Sequence, residues 1–179
     1  MHINENGRSM IEMLGVLAII GVMTVGGLNI IGRSRNSQQI GQLVSEVARV
    51  AMTAKKMACE YDTAYGNYTN FLYKSEAYSD ELQYEDGVFI GPMDAEITIT
   101  GNMYYFEVNV AELSEDACIQ LAGNDWGRKG TNGFLSVSAG SSAPISGQMG
   151  LDVAATNCED GATVKIRYQA CYSEEENND

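Results

Sequence analysis

The four cysteines are the residues of this 179-residue chain whose types most clearly point to chemistry. They are Cys59, Cys118, Cys158 and Cys171. No two of them form a CxxC pair, and the only histidine, His2, lies near the start of the chain, so the ligands of a zinc site are lacking. An even number of cysteines downstream of a long apolar segment is typical of two disulfides in an oxidising compartment. Four cysteines allow three connectivities, and their spacing alone does not choose among them.

The other polar residues do not form a recognisable catalytic set. A Ser-His-Asp arrangement needs a histidine inside the folded domain, and the glycine-rich stretch at 123–133 lacks the spacing of a phosphate-binding loop. Two acidic turns, at 124–127 and 157–161, carry carboxylates of the kind that bind calcium, but neither has EF-hand spacing. Turn residues with local hydrogen bonds account for both. We therefore expect no enzyme, no cofactor and no metal site.

The net charge of −13 is concentrated in the second part of the chain. Residues 63–179 hold 19 acidic and five basic side chains, whereas residues 1–62 hold six basic and five acidic ones. Phosphate binding needs clustered Lys and Arg, so this charge argues against a nucleic-acid partner. It favours solubility in water outside a membrane.

One acidic residue lies inside an apolar run. From Met10 to Ile31 there are 22 residues, and only Glu12, Thr24 and Asn29 among them are polar. About 20 apolar residues span a bilayer, and a carboxylate within the span costs roughly 2.5 kcal/mol or more. Either Glu12 has a compensating function, or it lies close enough to the membrane boundary to reach water. No small-residue cleavage site follows the run, so we expect it to stay in the mature protein.

The stretch GRSMIEMLGVLAIIGV, which begins at Gly7, resembles the class III leader of type IV pilins and of the pseudopilins of type II secretion. In that family a prepilin peptidase cuts after a glycine, the new N-terminus is methylated, and the fifth mature residue is glutamate. The resemblance implies cleavage between Gly7 and Arg8, which makes Glu12 the fifth residue. It also implies that Glu12 pairs with the free amine of an incoming subunit and sets the register of assembly.

A helical pattern continues beyond the apolar run, with no proline before Pro92. Apolar residues recur at steps of three and four while polar residues occupy the other faces. The apolar positions are Ile40, Leu43, Val44, Val47, Val50, Ala51, Ala54, Met57 and Ala58. One helix is predicted from about Ser9 to about Tyr61, roughly 80 Å long at 1.5 Å per residue. Its first half is apolar all round and its second half is amphipathic.

Residues 62–92 are predicted to form a loop, the αβ-loop of the pilin resemblance. Its tyrosines are expected to pack the loop onto the head; they are Tyr65, Tyr68, Tyr73, Tyr78 and Tyr84. The segment 95–110 alternates on both sides of Gly101 and Asn102, which predicts a β-hairpin with a tight turn.

Ser114 is the predicted N-cap of a helix that should end near Gly123. Three further strands are predicted at 133–140, 148–156 and 163–171. A strand, a helix and more strands, without regular βα alternation, indicate an antiparallel α+β head.

The stretch LSEDACIQLAGNDWG carries a second resemblance, to the short helix of type IVb-like pilins. In those proteins a cysteine within an A-C-x-x-L core bonds a cysteine near the C-terminus. The resemblance implies a Cys118–Cys158 bridge, which leaves Cys59 for Cys171. The alternative is a Cys158–Cys171 hairpin bridge together with Cys59–Cys118.

These features together predict a pilin fold of the α+β class. A long N-terminal α-helix, with a membrane-spanning half and an amphipathic half, packs on an antiparallel β-sheet head. The predicted segments are a leader peptide (1–7), a hydrophobic transmembrane and polymerisation helix (8–31), the amphipathic half of that helix (32–61), a globular αβ-loop and sheet head (62–172) and an acidic disordered tail (173–179).

The resemblance implies a structural subunit of a type IV (IVb-like) pilus, assembled through its N-terminal helix after prepilin peptidase cleavage. One alternative is a pseudopilin in the periplasmic piston of a type II secretion system. Another is a monomeric membrane-anchored periplasmic binding domain, which the motif at Gly7 and Glu12 disfavours. The expected partners are copies of this chain, other pilins or pseudopilins, prepilin peptidase, and the inner membrane with its assembly platform. The head is expected in the periplasm before assembly, and the assembled subunit in a surface pilus or a periplasmic pseudopilus.

Overall fold

A computed structural model describes residues 36–59, 66–101, 104–128 and 133–170. The chain divides into two compact units, Met1–Gln38 and Gln39–Asp179, and the second contains almost all of the described residues. The predicted leader, apolar run and acidic tail lie outside the described residues. No described helix is long and apolar enough to cross a membrane.

The first described element is a helix, α1, over residues 36–59. Its apolar stripe is buried at Ile40, Leu43, Val47, Val50, Ala51, Ala54, Met57 and Ala58, while Val44 is half-buried. These residues share one apolar cluster with the side chains of the sheet. The amphipathic helix predicted from the three- and four-residue spacing is therefore confirmed over this range.

Short strands and helices make up the remainder of the second unit. The strands are β1 (Gly66–Asn67), β2 (Gln83–Glu85), β3 (Val88–Ile90), β4 (Glu96–Gly101), β5 (Tyr105–Leu113), β6 (Phe134–Ala139) and β7 (Ala162–Gln169). The helices that follow α1 are α2 (Tyr68–Lys74), a 3₁₀ turn (Pro92–Asp94), α3 (Glu115–Ala122) and α4 (Leu151–Asn157).

The described strands pair antiparallel in the order β2-β3-β4-β5-β7-β6, and β1 pairs with the far end of β4. Along β5 the residues Phe106, Val108 and Val110 are fully buried, and the residues between them are half-buried. Val108 lies opposite Ile99 of β4 and Ile166 of β7, so one face of the sheet is apolar across neighbouring strands. An antiparallel α+β head, as predicted from the sequence, is present.

The opposite face of the sheet is polar. Arg167 of β7 lies opposite Glu107 of β5, and its guanidinium donates to Glu107 Oε2 at 2.9 Å. The same guanidinium lies 4.5 Å from the ring centroid of Tyr105. Cross-strand ion pairs and cation–π contacts of this kind stabilise a sheet by a fraction of a kcal/mol to about 1 kcal/mol each. This face therefore does not need to be covered by another layer.

The prediction of a loop over 62–92 is wrong in part. Asn67 caps α2, since its side-chain oxygen accepts from the Asn70 N–H at 3.2 Å. Thr69 fastens α2 to the sheet, because its buried Oγ1 accepts the Ile99 N–H at 2.7 Å. β2 and β3 form a hairpin whose two turn residues, Asp86 and Gly87, both have positive φ. Asp-Gly is the preferred sequence for such a turn, so this hairpin had a signal in the sequence.

Four of the five tyrosines in this segment lie within the described residues. Tyr68 is buried and lies 6.3 Å from Phe106, centroid to centroid. Tyr78 and Tyr84 lie 5.1 and 5.6 Å from the ring of Phe89. Tyr73 is more exposed and stacks on Tyr84 at 3.8 Å. Tyr68, Tyr78 and Tyr84 therefore pack the segment against the apolar core, as predicted, whereas Tyr73 contacts tyrosines of its own segment. Tyr65 lies outside the described residues.

The strand predicted at 148–156 is also wrong, because the chain forms α4 there. A short apolar run does not distinguish a strand from a buried helix by periodicity. Here Asp152 lies in the first turn, where the helix dipole favours a carboxylate, and Ala154 is the buried residue. The Cys158 N–H donates to the Ala154 carbonyl at 2.9 Å and closes the helix.

The remaining elements agree with the sequence-based predictions. Ser114 caps α3 by accepting the Ala117 N–H at 3.4 Å, and α3 ends at Ala122 with Gly123 as its C-cap. β6 and β7 lie within or beside the predicted strands. β4 and β5 form the predicted hairpin, but its last paired residues are Gly101 and Phe106. The connection is therefore longer than the predicted two-residue turn, and residues 102–103 within it lie outside the described residues.

Replacing Leu43 with alanine tests whether α1 belongs to the core of the head. Leu43 is 0% exposed, so the variant should lose about 2 to 5 kcal/mol of unfolding free energy. Leu151→Ala is the matched control, because Leu151 is also helical but 66% exposed. Its effect should stay within about 0.5 kcal/mol. Urea unfolding of the oxidised full-length chain measures both, and equal effects would contradict the packing of α1.

Candidate functional site

The residues predicted to act in processing and assembly are Gly7, Arg8 and Glu12, and all three lie outside the described residues. The structure therefore neither places their side chains nor brings them together with another group. Three of the four cysteines lie within the described residues: Cys118 and Cys158 near α3 and α4, and Cys59 at the end of α1.

Cys118 lies in α3 and Cys158 directly follows α4, and the two form a disulfide with a Cα–Cα distance of 5.7 Å. Cys118 is fully buried and Cys158 nearly so. This is the bridge that the type IVb-like resemblance implied, and it excludes the alternative bridges Cys59–Cys118 and Cys158–Cys171. Cys59, at the end of α1, is also disulfide-bonded. Its predicted partner, Cys171, lies outside the described residues.

Backbone contacts position the two halves of this bridge. The Glu115 N–H, at the start of α3, donates to Asp160 Oδ1 at 3.0 Å. The Gly161 N–H donates to the Leu113 carbonyl at 2.8 Å, which ties the start of β7 to the end of β5. At the same C-terminal end of α4, Gly140 has positive φ and lies so close to the Asn157 carbonyl that a side chain would clash with it. The disulfide therefore closes a region already fixed by the sheet.

Both acidic turns accept backbone hydrogen bonds, the first locally, as predicted, and the second from the start of α3, 45 residues away along the chain. Asp125 Oδ1 accepts the Gly127 N–H at 3.0 Å, and Asp160 Oδ1 accepts the Glu115 N–H. These are the turn and cap hydrogen bonds that Asp commonly makes. Across the described ranges, no group of three or more His, Cys, Asp or Glu residues could hold a metal ion.

One charged residue of α1 was not singled out in the sequence. Glu46 is 5% exposed, and its Oε1 lies 3.7 Å from Arg49 Nη2. Arg49 in turn donates from Nη1 to the buried Ser79 Oγ at 3.2 Å, so this chain of contacts joins α1 to the segment after α2. Oε2 of Glu46 is buried and has no hydrogen-bond partner in the described part of the chain. The sequence signal for the burial of Glu46 was its position beside the apolar stripe, three residues after Leu43.

A groove of about 370 Å³ lies where α1 meets the segment after α3. Ala48, Ala51 and Met52 of α1 form one wall, and Trp126 and Tyr168 form the other. The Trp126 indole N–H donates to the Leu121 carbonyl at 2.9 Å, which fixes the ring against the end of α3. Sequence analysis missed this site because its residues are about 120 positions apart at the extremes and share no motif.

The Tyr168 ring packs between two other aromatic rings. Its centroid lies 5.5 Å from that of Phe106 and 6.0 Å from that of Phe134. Burial raises the pKa of the Tyr168 hydroxyl to about 12. The phenol therefore stays protonated, and able to donate a hydrogen bond, throughout the physiological range. Burial also raises the pKa of Tyr68.

Comparison with known proteins adds no assignment: no family model matches the chain, and no curated protein matches it significantly. The geometry of the described residues offers a disulfide-closed head and an apolar groove with one phenol.

The Cys118–Cys158 bridge should contribute about 3 to 4 kcal/mol to the unfolding free energy, because it closes a loop with a sequence separation of 40. Replacing both cysteines with alanine should lower the urea midpoint accordingly. Non-reducing peptide mapping should find the bridge in the wild-type chain. A double variant as stable as the oxidised wild type would contradict this contribution.

Stability should fall as the pH rises from 10 to 12. In this range an unfolded tyrosine ionises, whereas Tyr168 in the folded chain stays neutral, because its pKa is raised from 10.0 to about 12. The stability linked to this shift is fully present below pH 10 and is lost as the pH approaches 12. The loss amounts to about 2 to 3 kcal/mol for Tyr168.

Urea unfolding across this pH range measures that loss. Tyr168→Phe is the matched variant, because it keeps the ring and removes the titrating hydroxyl, and its stability should depend less steeply on pH. Equal slopes for the variant and the wild type would show that the Tyr168 hydroxyl is not shielded from water.

Proposed function

We propose that this chain is a structural subunit of a type IV pilus-like filament, assembled through its N-terminal helix after cleavage by a prepilin peptidase. The observation that carries the proposal is the coincidence of Gly7 with Glu12, five residues further on, at the start of a 22-residue apolar run. An anchor without a filament has no need for a glutamate at this position, where it costs roughly 2.5 kcal/mol or more.

The described head supports the proposal by its architecture. It combines an amphipathic helix near its N-terminal end with an antiparallel sheet, and α1 contributes its apolar stripe to the core of that sheet. The Cys118–Cys158 bridge joins the two positions that the type IVb-like resemblance implied. We further propose that α1 continues the apolar run as one helix of the pilin fold, so that one face of it belongs to the head and its earlier part is left for assembly.

The filament places particular demands on the head. A head outside the cell cannot rely on a reducing environment, and a disulfide gives it resistance to unfolding. The net charge of −14 over residues 63–179 keeps it soluble and limits non-specific association. Assembly then depends on the N-terminal segment, where the charge is close to balanced. A pseudopilin would share all of these features, and the location of the filament decides between the two.

Processing is the first test. Co-expression with a prepilin peptidase should remove the first seven residues, and intact-mass measurement should find a chain that begins at Arg8. Gly7→Asp should remain uncut, because the peptidase recognises the glycine. Asn6→Asp is the control, because it places the same carboxylate one residue away and keeps the glycine. Ala18→Asp would not serve, because it disrupts the span. A chain that keeps Met1 with active peptidase present would contradict the proposal.

Assembly is the second test. Glu12→Ala removes a charge from the apolar run, so the monomer should still insert and the head should still fold and oxidise. The filament should be lost, because an incoming amine left unpaired among apolar helices costs about 3 to 5 kcal/mol. Sheared or pelleted filament is compared with membrane-extracted monomer for the wild type, Glu12→Ala and Glu12→Asp.

The outcomes separate the possible roles of Glu12. Loss of filament with normal monomer supports a role between subunits, and partial rescue by Glu12→Asp shows that the carboxylate is what matters. Wild-type filament yield from Glu12→Ala would show that Glu12 is a boundary residue that reaches water. Filament at the cell surface indicates a pilus, whereas filament confined to the periplasm indicates the pseudopilin.

A further inference from the structure

An aromatic cluster lies where α2 meets the hairpin of β2 and β3. Tyr73 of α2 and Tyr84 of β2 stack, with 3.8 Å between their ring centroids and 8° between their planes. The rings of Tyr78 and Tyr84 pack against the fully buried Phe89. Phe89 lies opposite Tyr84 in the hairpin, so the register of two paired strands sets the position of Tyr84. The stack therefore holds two phenol rings in face-to-face contact at a defined place.

One side of this stack is open to solvent. Tyr73 is 41% exposed, whereas Tyr84 is half-buried. A reagent in solution can therefore reach the Tyr73 ring directly, and the Tyr84 ring lies in contact with it. Tyr78 also neighbours Tyr73, but its ring centroid is 6.0 Å away and its plane is tilted by 38°. The geometry thus favours a reaction of Tyr73 with Tyr84 over one with Tyr78.

The elements that carry the stack are short. α2 has seven residues, and β2 and β3 have three residues each. Helices and hairpins of this size are marginal without tertiary support. Residues 66–101 contain no cysteine, so no disulfide can join these elements to each other. The Cys118–Cys158 bridge, around α3 and α4, indicates that the head occupies an oxidising environment.

We propose that Tyr73 and Tyr84 form an oxidative cross-linking site, at which the two rings join as dityrosine and tie α2 covalently to β2. The oxidant is a peroxide that acts through a haem peroxidase, with one hydrogen peroxide consumed per cross-link. The bond replaces a stacking contact of about 0.5 to 1.5 kcal/mol with a covalent one, in a segment that has no disulfide of its own.

The electrons and atoms of this step balance. Each phenol loses one electron and one proton and becomes a phenoxyl radical. The two radicals couple through ring carbons next to the hydroxyl-bearing carbons, and one carbon–carbon bond forms. Each coupled carbon then releases its hydrogen as a proton, and each phenoxyl oxygen takes up a proton, which restores both phenols. In sum, two hydrogen atoms leave the chain and reduce one hydrogen peroxide to two waters.

Oxidation of the full-length, disulfide-bonded chain in detergent micelles tests the proposal. A haem peroxidase with limiting hydrogen peroxide should give monomeric chain that has lost two hydrogen atoms by intact mass and shows dityrosine fluorescence. Tandem mass spectrometry of its proteolytic peptides should join Tyr73 to Tyr84. Unfolding in urea before oxidation should lower the yield of this pair by about 10-fold or more, because the folded contact supplies the high effective concentration.

Variants assign the cross-link to the stacked pair. Tyr73→Phe and Tyr84→Phe keep the rings but lack one phenol, and each should lose the link. Tyr104→Phe is the matched control, because Tyr104 is 36% exposed and lies outside the cluster, and its yield should equal that of the wild type. Tyr78→Phe should also leave the yield unchanged. Cross-linked wild type should unfold at a higher urea concentration than before oxidation, whereas identically oxidised Tyr73→Phe should not.

A ruthenium photo-oxidant, which is small enough to reach an exposed ring, is applied in parallel. A link that forms with this reagent but not with peroxidase would overturn the assignment of the oxidant. Absence of the link with both reagents, oxidation confined to methionine, or dityrosine found mainly between chains would overturn the site. Preferential joining of Tyr73 to Tyr78 would do the same. None of these results bears on Gly7 or Glu12, so the proposed filament function is tested separately.

Discussion

The burial of one face of α1 against one face of the sheet is the contact on which the head depends. Leu43 and Val47 are completely buried there, and each such side chain contributes about 1.5 to 3 kcal/mol relative to exposure. The sheet offers a matching surface, because alternate residues of β4, β5, β6 and β7 point to the same side. The opposite face carries the Arg167–Glu107 pair and meets water. A two-layer arrangement follows, with one layer formed by α1.

The same burial explains the polar contacts at the edge of α1. Glu46 lies beside the apolar stripe, so most of its carboxylate is removed from water. Arg49 approaches one oxygen and also bonds Ser79, which brings the segment after α2 against the helix. The Glu46–Arg49 ion pair is weak evidence for stability, because the Arg49 side chain is 61% exposed and desolvation of the buried Glu46 carboxylate opposes the attraction. The Arg49–Ser79 hydrogen bond adds a contact between α1 and the segment after α2.

The part of the head that contains α3 and α4 is held in place by a disulfide and by backbone hydrogen bonds. α3 and α4 are each under nine residues long, and helices of that length are marginal without tertiary support. The Cys118–Cys158 bridge and the contacts of Asp160 and Gly161 supply that support. The segment after α3 then runs beside α1 and leaves the groove lined by Trp126 and Tyr168. α1 therefore lines the groove with some of its residues and contributes others to the core of the head.

Local sequence signals determined most of the regular structure. The spacing of apolar residues gave α1, the Ser114 cap gave α3, and alternation gave β4 to β7, because these depend on neighbours in the chain. The Asp86-Gly87 hairpin was equally local and was overlooked. The run at 148–156 was ambiguous in sequence, and packing between α3 and the sheet resolved it as α4. The cysteine count indicated disulfides, the resemblance of the α3 stretch implied the Cys118–Cys158 pairing, and the fold brings those two cysteines together.

The candidate groove could not be read from the sequence at all. Ala48, Trp126 and Tyr168 belong to three distant segments, and each alone is an ordinary residue of a helix, a turn or a strand. Whether the Tyr168 hydroxyl finds a partner depends on where the other segments lie, which is a property of the tertiary structure. The motif at Gly7 and Glu12 is the reverse case: the proposed processing by a peptidase would depend on a short linear segment, which can be read in the sequence. The sequence thus determined the candidate motif and the apolar face of α1, whereas tertiary packing formed the groove.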